Sequence, residues 1–174
     1  AEDLRLFADA MGLTKFNLSG WSLGGAVCMQ FSADYPEYVD KLILLASASI
    51  KGYPAFKKNF FKKPIIGQYI TTKDEIEKDI KMMVKAISKR TKWLIKKLLD
   101  LTLFNVTKPS EGEMDELIEI VFQQQNLIDV NYALIHFNIS NEHNGVEPGT
   151  GDVDKIIAPT LVLQGDKDVI VRVE

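Results

Sequence analysis

Apolar positions change period several times along this chain, and each change predicts an element. Leu4, Phe7, Ala8 and Met11 lie three or four apart, the spacing of one helix face, and Gly12 follows as a helix-ending glycine. Lys15-Phe16-Asn17-Leu18-Ser19 alternates polar and apolar residues, as a short strand does. Leu23, Val27 and Phe31 then recur every four residues and predict a helix; Ala26, Met29 and Ala33 suit it. Pro36 ends the run. Leu42-Ile43-Leu44-Leu45-Ala46 is unbroken apolar sequence, expected of a parallel strand buried on both faces. Strand, helix and strand with short links predict a right-handed crossover.

The pattern changes for the next hundred or so residues, which show little strand character. Lys51 to Lys63 is basic and aromatic, and Pro54, Pro64 and Gly67 make it read as loop. Thr72 and Glu75 have capping-box spacing, followed by the stripe Ile76, Ile80, Met83 and Ile87. Trp93, Leu94, Leu98 and Leu101 predict a second helix. Ser110 and Glu113 repeat the capping box ahead of Met114, Leu117, Ile118, Val121 and Phe122. Tyr132 to Ile139 reads as another short helix, and Asn141 to Gly151 as a polar loop. Strand character returns at Pro159-Thr160-Leu161-Val162-Leu163-Gln164, followed at once by Gly165-Asp166-Lys167-Asp168. The fold class is therefore α/β. A core of residues 1–50 and 153–174 contributes three parallel strands, and a helical cap of residues 51–152 is inserted into it. Such an insertion is expected to form a lid.

Composition adds limits. The 174 residues suffice for a sizeable core, and 46% apolar with 26% charged residues is ordinary for a water-soluble chain. No apolar run has the length of a membrane span, and the acidic start lacks the form of a signal peptide. The single cysteine, Cys28, excludes an internal disulfide framework, reads as a small buried apolar residue, and fits a cytoplasmic setting. Metal-ligand spacing and nucleotide-binding patterns are absent, so neither a metal nor nucleic acid is expected. Net charge is −3, yet residues 51–97 carry 14 Lys and Arg against 4 Asp and Glu. That asymmetry suits either an anionic partner surface or a solvated helical face.

The chemistry concentrates at Gly20-Trp21-Ser22-Leu23-Gly24, a G-x-S-x-G between the predicted strand and helix. A serine hydroxyl is a poor nucleophile unless the backbone exposes it and a base stands beside it. This pattern supplies the backbone half as a nucleophile elbow. Gly20 and Gly24, lacking Cβ atoms, are expected to let strand and helix approach closely around the bent serine. Three features together resemble the α/β-hydrolase family: Gly20-Trp21-Ser22-Leu23-Gly24-Gly25, the Tyr35-Pro36-Glu37 helix stop before a buried strand, and Leu163-Gln164-Gly165-Asp166-Lys167-Asp168.

The resemblance implies a serine hydrolase that cleaves carboxylic esters through an acyl-serine, without a cofactor. Ser22 would be the nucleophile and the Leu23 backbone N–H an oxyanion donor. Asp168 would be the triad acid, with Asp166 as the competing choice. The family's histidine, second oxyanion donor and early strands have no counterpart in these residues, so the chain reads as an internal fragment of a longer enzyme or a truncated product, expected to be inactive as it stands. His136, in an apolar context, is expected to be a packed helix residue. Trp21 and His143 are candidate substrate contacts; the alternative for His143 is an exposed structural histidine.

Ala46 to Pro54 and the Asn141 to Gly151 loop are similar to intracellular polyhydroxybutyrate depolymerases of bacilli, which implies 3-hydroxyacyl ester substrates, small or polymeric. Tyr53, Phe56, Phe60, Phe61 and Trp93 would then either contact a hydrophobic granule or anionic lipid, or form the core of the lid. Two other functions stay open: a cofactor-free haloperoxidase-type or C–C bond hydrolase, and a non-catalytic module with a basic cap.

Overall fold

The structure is a computed structural model that describes residues 1–171; the last three positions assigned to the core, 172–174, lie outside the described residues. Two compact units emerge. One comprises Ala1–Thr71 with Ala133–Gln164, and the other Thr72–Tyr132 with Gly165–Glu174. Residues 51–71 and 133–152 thus belong to the unit that holds the parallel sheet.

In the first unit, helix α1 (Glu2–Ala10) ends at a Met11 cap, and Gly12 follows at φ 67°. Strand β1 (Phe16–Trp21) leads through Ser22 into helix α2 (Leu23–Asp34). A 3-10 turn (Pro36–Tyr38) stops that helix before strand β2 (Val39–Leu45). Strand β5 (Thr160–Leu163) completes a parallel sheet of order β1-β2-β5. The alternation expected of β1 is present, with Leu18 and Gly20 buried and their neighbours exposed.

In α2, Val27 is exposed, whereas Gly25, Ala26, Cys28, Met29, Phe31, Ser32 and Ala33 are buried. The helix packs on β1, β2 and the Asp152–Lys155 turn, so no single stripe describes its contacts. One expectation needs correction: β2 is not buried along both faces, because Asp40, Lys41 and Leu45 are exposed. The core joins Leu18, Cys28, Met29, Phe31, Val39, Leu42, Leu44 and Ile139.

Lys51 to Lys63 is not all loop. Strands β3 (Phe56–Lys58) and β4 (Pro64–Tyr69) form an antiparallel hairpin, with Phe56 stacked on Tyr69 at 4.7 Å between ring centroids. The hairpin escapes the period-2 signal because none of the six β4 residues is buried, so no inward face imposes alternation.

The second unit is helical. Helix α3 (Lys73–Ser88) and helix α5 (Glu111–Val121) begin with complete capping boxes, Thr72 with Glu75 and Ser110 with Glu113. Helix α4 (Lys92–Leu101) lies between them in sequence and contacts both. Ala86, Ile95, Leu99, Met114 and Ile118 form this unit's own core. Helix α6 (Leu127–His136) starts five residues before the expected Tyr132 and stops short of Ile139. None of the described helices is long and apolar enough to cross a membrane.

Candidate active site

The site begins with a backbone that only a few residues tolerate. Ser22 sits at φ 53°, ψ −123°, between the last residue of β1 and the first of α2. A positive φ costs a non-glycine residue about 1–3 kcal/mol and survives only where the surroundings hold it. Here the surroundings are explicit. The Ser22 N–H donates to the Leu45 carbonyl at 3.1 Å, continuing the β1–β2 ladder past Trp21. The Ser22 carbonyl accepts from the N–H groups of Gly25 and Ala48, each at 3.0 Å. Three main-chain bonds thus pin one residue, one to the end of β2 and one to the segment after it. That segment is itself bent: Ala46 has φ 41° and donates its N–H to the Leu163 carbonyl of β5 at 2.9 Å.

Close approach of strand and helix makes the bend feasible. A Cβ on Gly20 would stand 2.4 Å from the Gly24 carbonyl oxygen and 2.7 Å from Cys28 Sγ. One on Gly25 would stand 1.9 Å from Ser47 Oγ. Gly24, expected to matter for the same reason, has open space at its Cβ position. The second required glycine is therefore Gly25. Ser47 and the Ala48 N–H are parts of the elbow that sequence reading missed, and the extra glycine at position 25 was the available signal.

Ser22 and Leu23 are half-buried, and Trp21 beside them is exposed. As the first residue of α2, Leu23 has no intrahelical acceptor for its N–H. The first turn of α2 carries no acidic side chain, so the positive end of the helix dipole stands unneutralised by its own residues. Cys28, one turn further on, is buried, and burial pushes its thiol up to about 11. It is protonated at neutral pH and no rival nucleophile.

Asp168 belongs to the second unit, on the turn that follows β5. Its N–H donates to the Gly165 carbonyl at 3.2 Å, and its Oδ1 accepts from the N–H groups of Ile170 and Val171 at 2.8 and 2.9 Å. The backbone therefore fixes the orientation of this carboxylate, while Asp166 is exposed. Asn105 braces the same turn by donating to the Lys167 carbonyl at 3.1 Å.

The two histidines are otherwise engaged. His136 Nδ1 lies 2.5 Å from Glu147 Oε1 and its Nε2 lies 2.9 Å from the Thr71 carbonyl oxygen, so both nitrogens serve the join between α6 and neighbouring loops. His143 is exposed, and its Nδ1 accepts the Gly145 N–H at 2.8 Å, closing the polar loop on itself. Among the described residues, no cluster of three or more His, Cys, Asp or Glu could hold a metal.

Residues 1–68 match the alpha/beta hydrolase fold family. Among curated proteins, a 2-hydroxy-6-oxononadienedioate/2-hydroxy-6-oxononatrienedioate hydrolase from a Pseudomonas species is 39% identical over 44 residues, covering 25% of this chain and 16% of that protein. Among solved structures, a bromoperoxidase from Bacillus anthracis superposes with a TM-score of 0.60 at 16% identity, covering 98% of this chain and 56% of its own. An esterase from Exiguobacterium antarcticum gives 0.57 at 18% identity, covering 98% and 55%. Elbow, parallel sheet and these matches define the class: the chain has the α/β-hydrolase fold. It spans about half the length of the solved structures it matches.

Proposed function

We propose that this chain is the nucleophile-bearing part of a serine hydrolase acting on carboxylic esters, with Ser22 as the attacking residue. The observation that carries the reading is the strained Ser22 backbone, clamped by Leu45, Gly25 and Ala48 at the mouth of a helix. Strain at a hydroxyl-bearing residue that three main-chain bonds enforce has little structural use, and it is what an exposed nucleophile requires.

In the reaction, Ser22 Oγ attacks the ester carbonyl carbon while a histidine accepts its proton. The Leu23 N–H donates to the oxyanion that develops. The tetrahedral species collapses, the alcohol leaves with the proton from the histidine, and water then attacks the acyl-serine to release the acid. Asp168, with Oδ1 fixed by backbone donors, orients that imidazole and stabilises its cationic form. We assign that role to neither His136, which is bonded to Glu147 and the Thr71 carbonyl, nor His143, which is bonded to the Gly145 N–H. Esters of short 3-hydroxy acids are the substrates proposed first. Trp21, exposed beside the serine, is proposed to contact them.

A second reading has its own support. The 44 matched residues of the Pseudomonas hydrolase favour attack on a ketone carbonyl with C–C cleavage, chemistry that uses the same serine. Rates on p-nitrophenyl butyrate, a 3-hydroxybutyrate dimer and 2-hydroxy-6-oxononadienedioate distinguish the two in the natural protein. The ester reading expects the first two to be cleaved faster, and Ser22→Ala to lower kcat by at least about 10⁴-fold. Faster Ser22-dependent cleavage of the third would establish the other reading. Undiminished activity in Ser22→Ala would remove both.

A further inference from the structure

The β3–β4 hairpin of the first unit carries an exposed apolar and basic tip that Ser22 chemistry does not explain. Phe60 and Phe61 occupy the turn and are 95% and 78% exposed. Ile66, on the following strand, is 77% exposed. Large apolar side chains so completely open, three within seven positions, form a patch rather than scattered surface residues. Lys58, Lys62 and Lys63 flank the phenylalanines and are exposed as well. Between Asp40 and Asp74 the chain contains no acidic residue.

The tip is built in advance. Asn59 donates its N–H to the Lys63 carbonyl and accepts the Lys62 N–H at its own carbonyl, each at 2.9 Å. Its side-chain Oδ1 accepts from Phe61 and Lys63 N–H groups at 2.9 and 3.0 Å. Lys62 turns the chain at φ 57°. Below the turn, Phe56 stacks on Tyr69 and stiffens the stem. A turn held this way presents both rings with little conformational entropy left to lose on binding.

We infer that this tip docks on an anionic lipid bilayer, with Phe60, Phe61 and Ile66 entering the interfacial zone and the lysines meeting lipid phosphates and carboxylates. The chemistry separates a bilayer from the alternatives. Single-stranded nucleic acid needs aromatic faces on which successive bases stack. Phe60 and Phe61 instead stand edge to face, at 85° between ring planes, and the third member, Ile66, is aliphatic. Lysine stems lie along apolar surface while their ammonium heads stay in water, which matches a headgroup layer over acyl chains. The inference is independent of the nucleophile assignment.

The test is co-sedimentation of the protein with vesicles of phosphatidylcholine alone and of phosphatidylcholine with phosphatidylserine. The expected result is binding to the anionic vesicles at least about tenfold tighter than to the zwitterionic ones. Binding should weaken between about 0.1 M and about 0.5 M salt. Phe60→Ser with Phe61→Ser should cost at least about tenfold, and each of Lys58→Gln, Lys62→Gln and Lys63→Gln roughly fivefold. Phe60→Trp, which keeps an aromatic ring at the tip, should show a blue shift in its added emission with anionic vesicles only. No binding, equal binding to both vesicles, full binding by the double serine variant, or tighter binding to single-stranded RNA in the same assay would overturn the inference.

Discussion

Ser22 and Cys28 lie six positions apart, and the fold treats them oppositely. One is held at a positive φ by its main chain; the other is buried in the core and keeps its proton. The thiol has a consequence that pH can read. In the unfolded chain a cysteine titrates at about 8.5, whereas burial raises the folded value to about 11. Below the unfolded value both states hold the proton and the contribution to stability is constant. Between about 9 and about 11 the unfolded chain sheds a proton that the folded chain retains, so stability falls as pH rises through that window. Cys28→Ala is therefore expected to flatten the decline of the melting temperature from about pH 9 to about pH 11, as followed by circular dichroism. A slope identical to that of the wild type would contradict a protonated, buried thiol.

At the scale of elements, the approach of β1 to α2 decides whether the elbow can exist. The space that a Cβ would occupy at Gly20 is already filled by the Gly24 carbonyl and Cys28 Sγ, while Gly24 faces nothing. Gly20→Ala is expected to cost about 1–3 kcal/mol by forcing strand and helix apart. Gly24→Ala should stay within about 0.5 kcal/mol or gain slightly from helix propensity. Denaturant midpoints check both, and equal costs would contradict the packing described. Much at this scale could be read from the sequence: the caps at Thr72 and Ser110, the break at Pro36 and the alternation of Asn17 to Trp21 are local signals with local causes. What could not be read is instructive. Val27 sits on the four-residue repeat yet faces solvent, because a helix contacted on several sides has no unique apolar face. The β3–β4 hairpin was hidden since its prolines, glycine and lysines mimic a loop and no buried face imposes alternation.

For the molecule as a whole, two separate cores follow the change of period that the sequence shows, from strands with short links to capped helices. Charge follows structure less simply. Part of the basic excess in residues 51–97 is paired with acids elsewhere in the chain: Lys51 with Glu142, Lys73 with Asp129, Arg90 with Glu119 and Lys96 with Glu111. That pairing was invisible to a count along the sequence because the partners are 15 to 91 positions away. The candidate nucleophile was legible from five residues, but the clamp that strains it was not, since Leu45 and Ala48 announce nothing by themselves. The most direct test of the central claim is mass spectrometry of the natural protein after reaction with a fluorophosphonate. The account predicts one adduct, on the peptide containing Ser22, absent from Ser22→Ala. An adduct on any other residue, or unchanged labelling of the alanine variant, would contradict it.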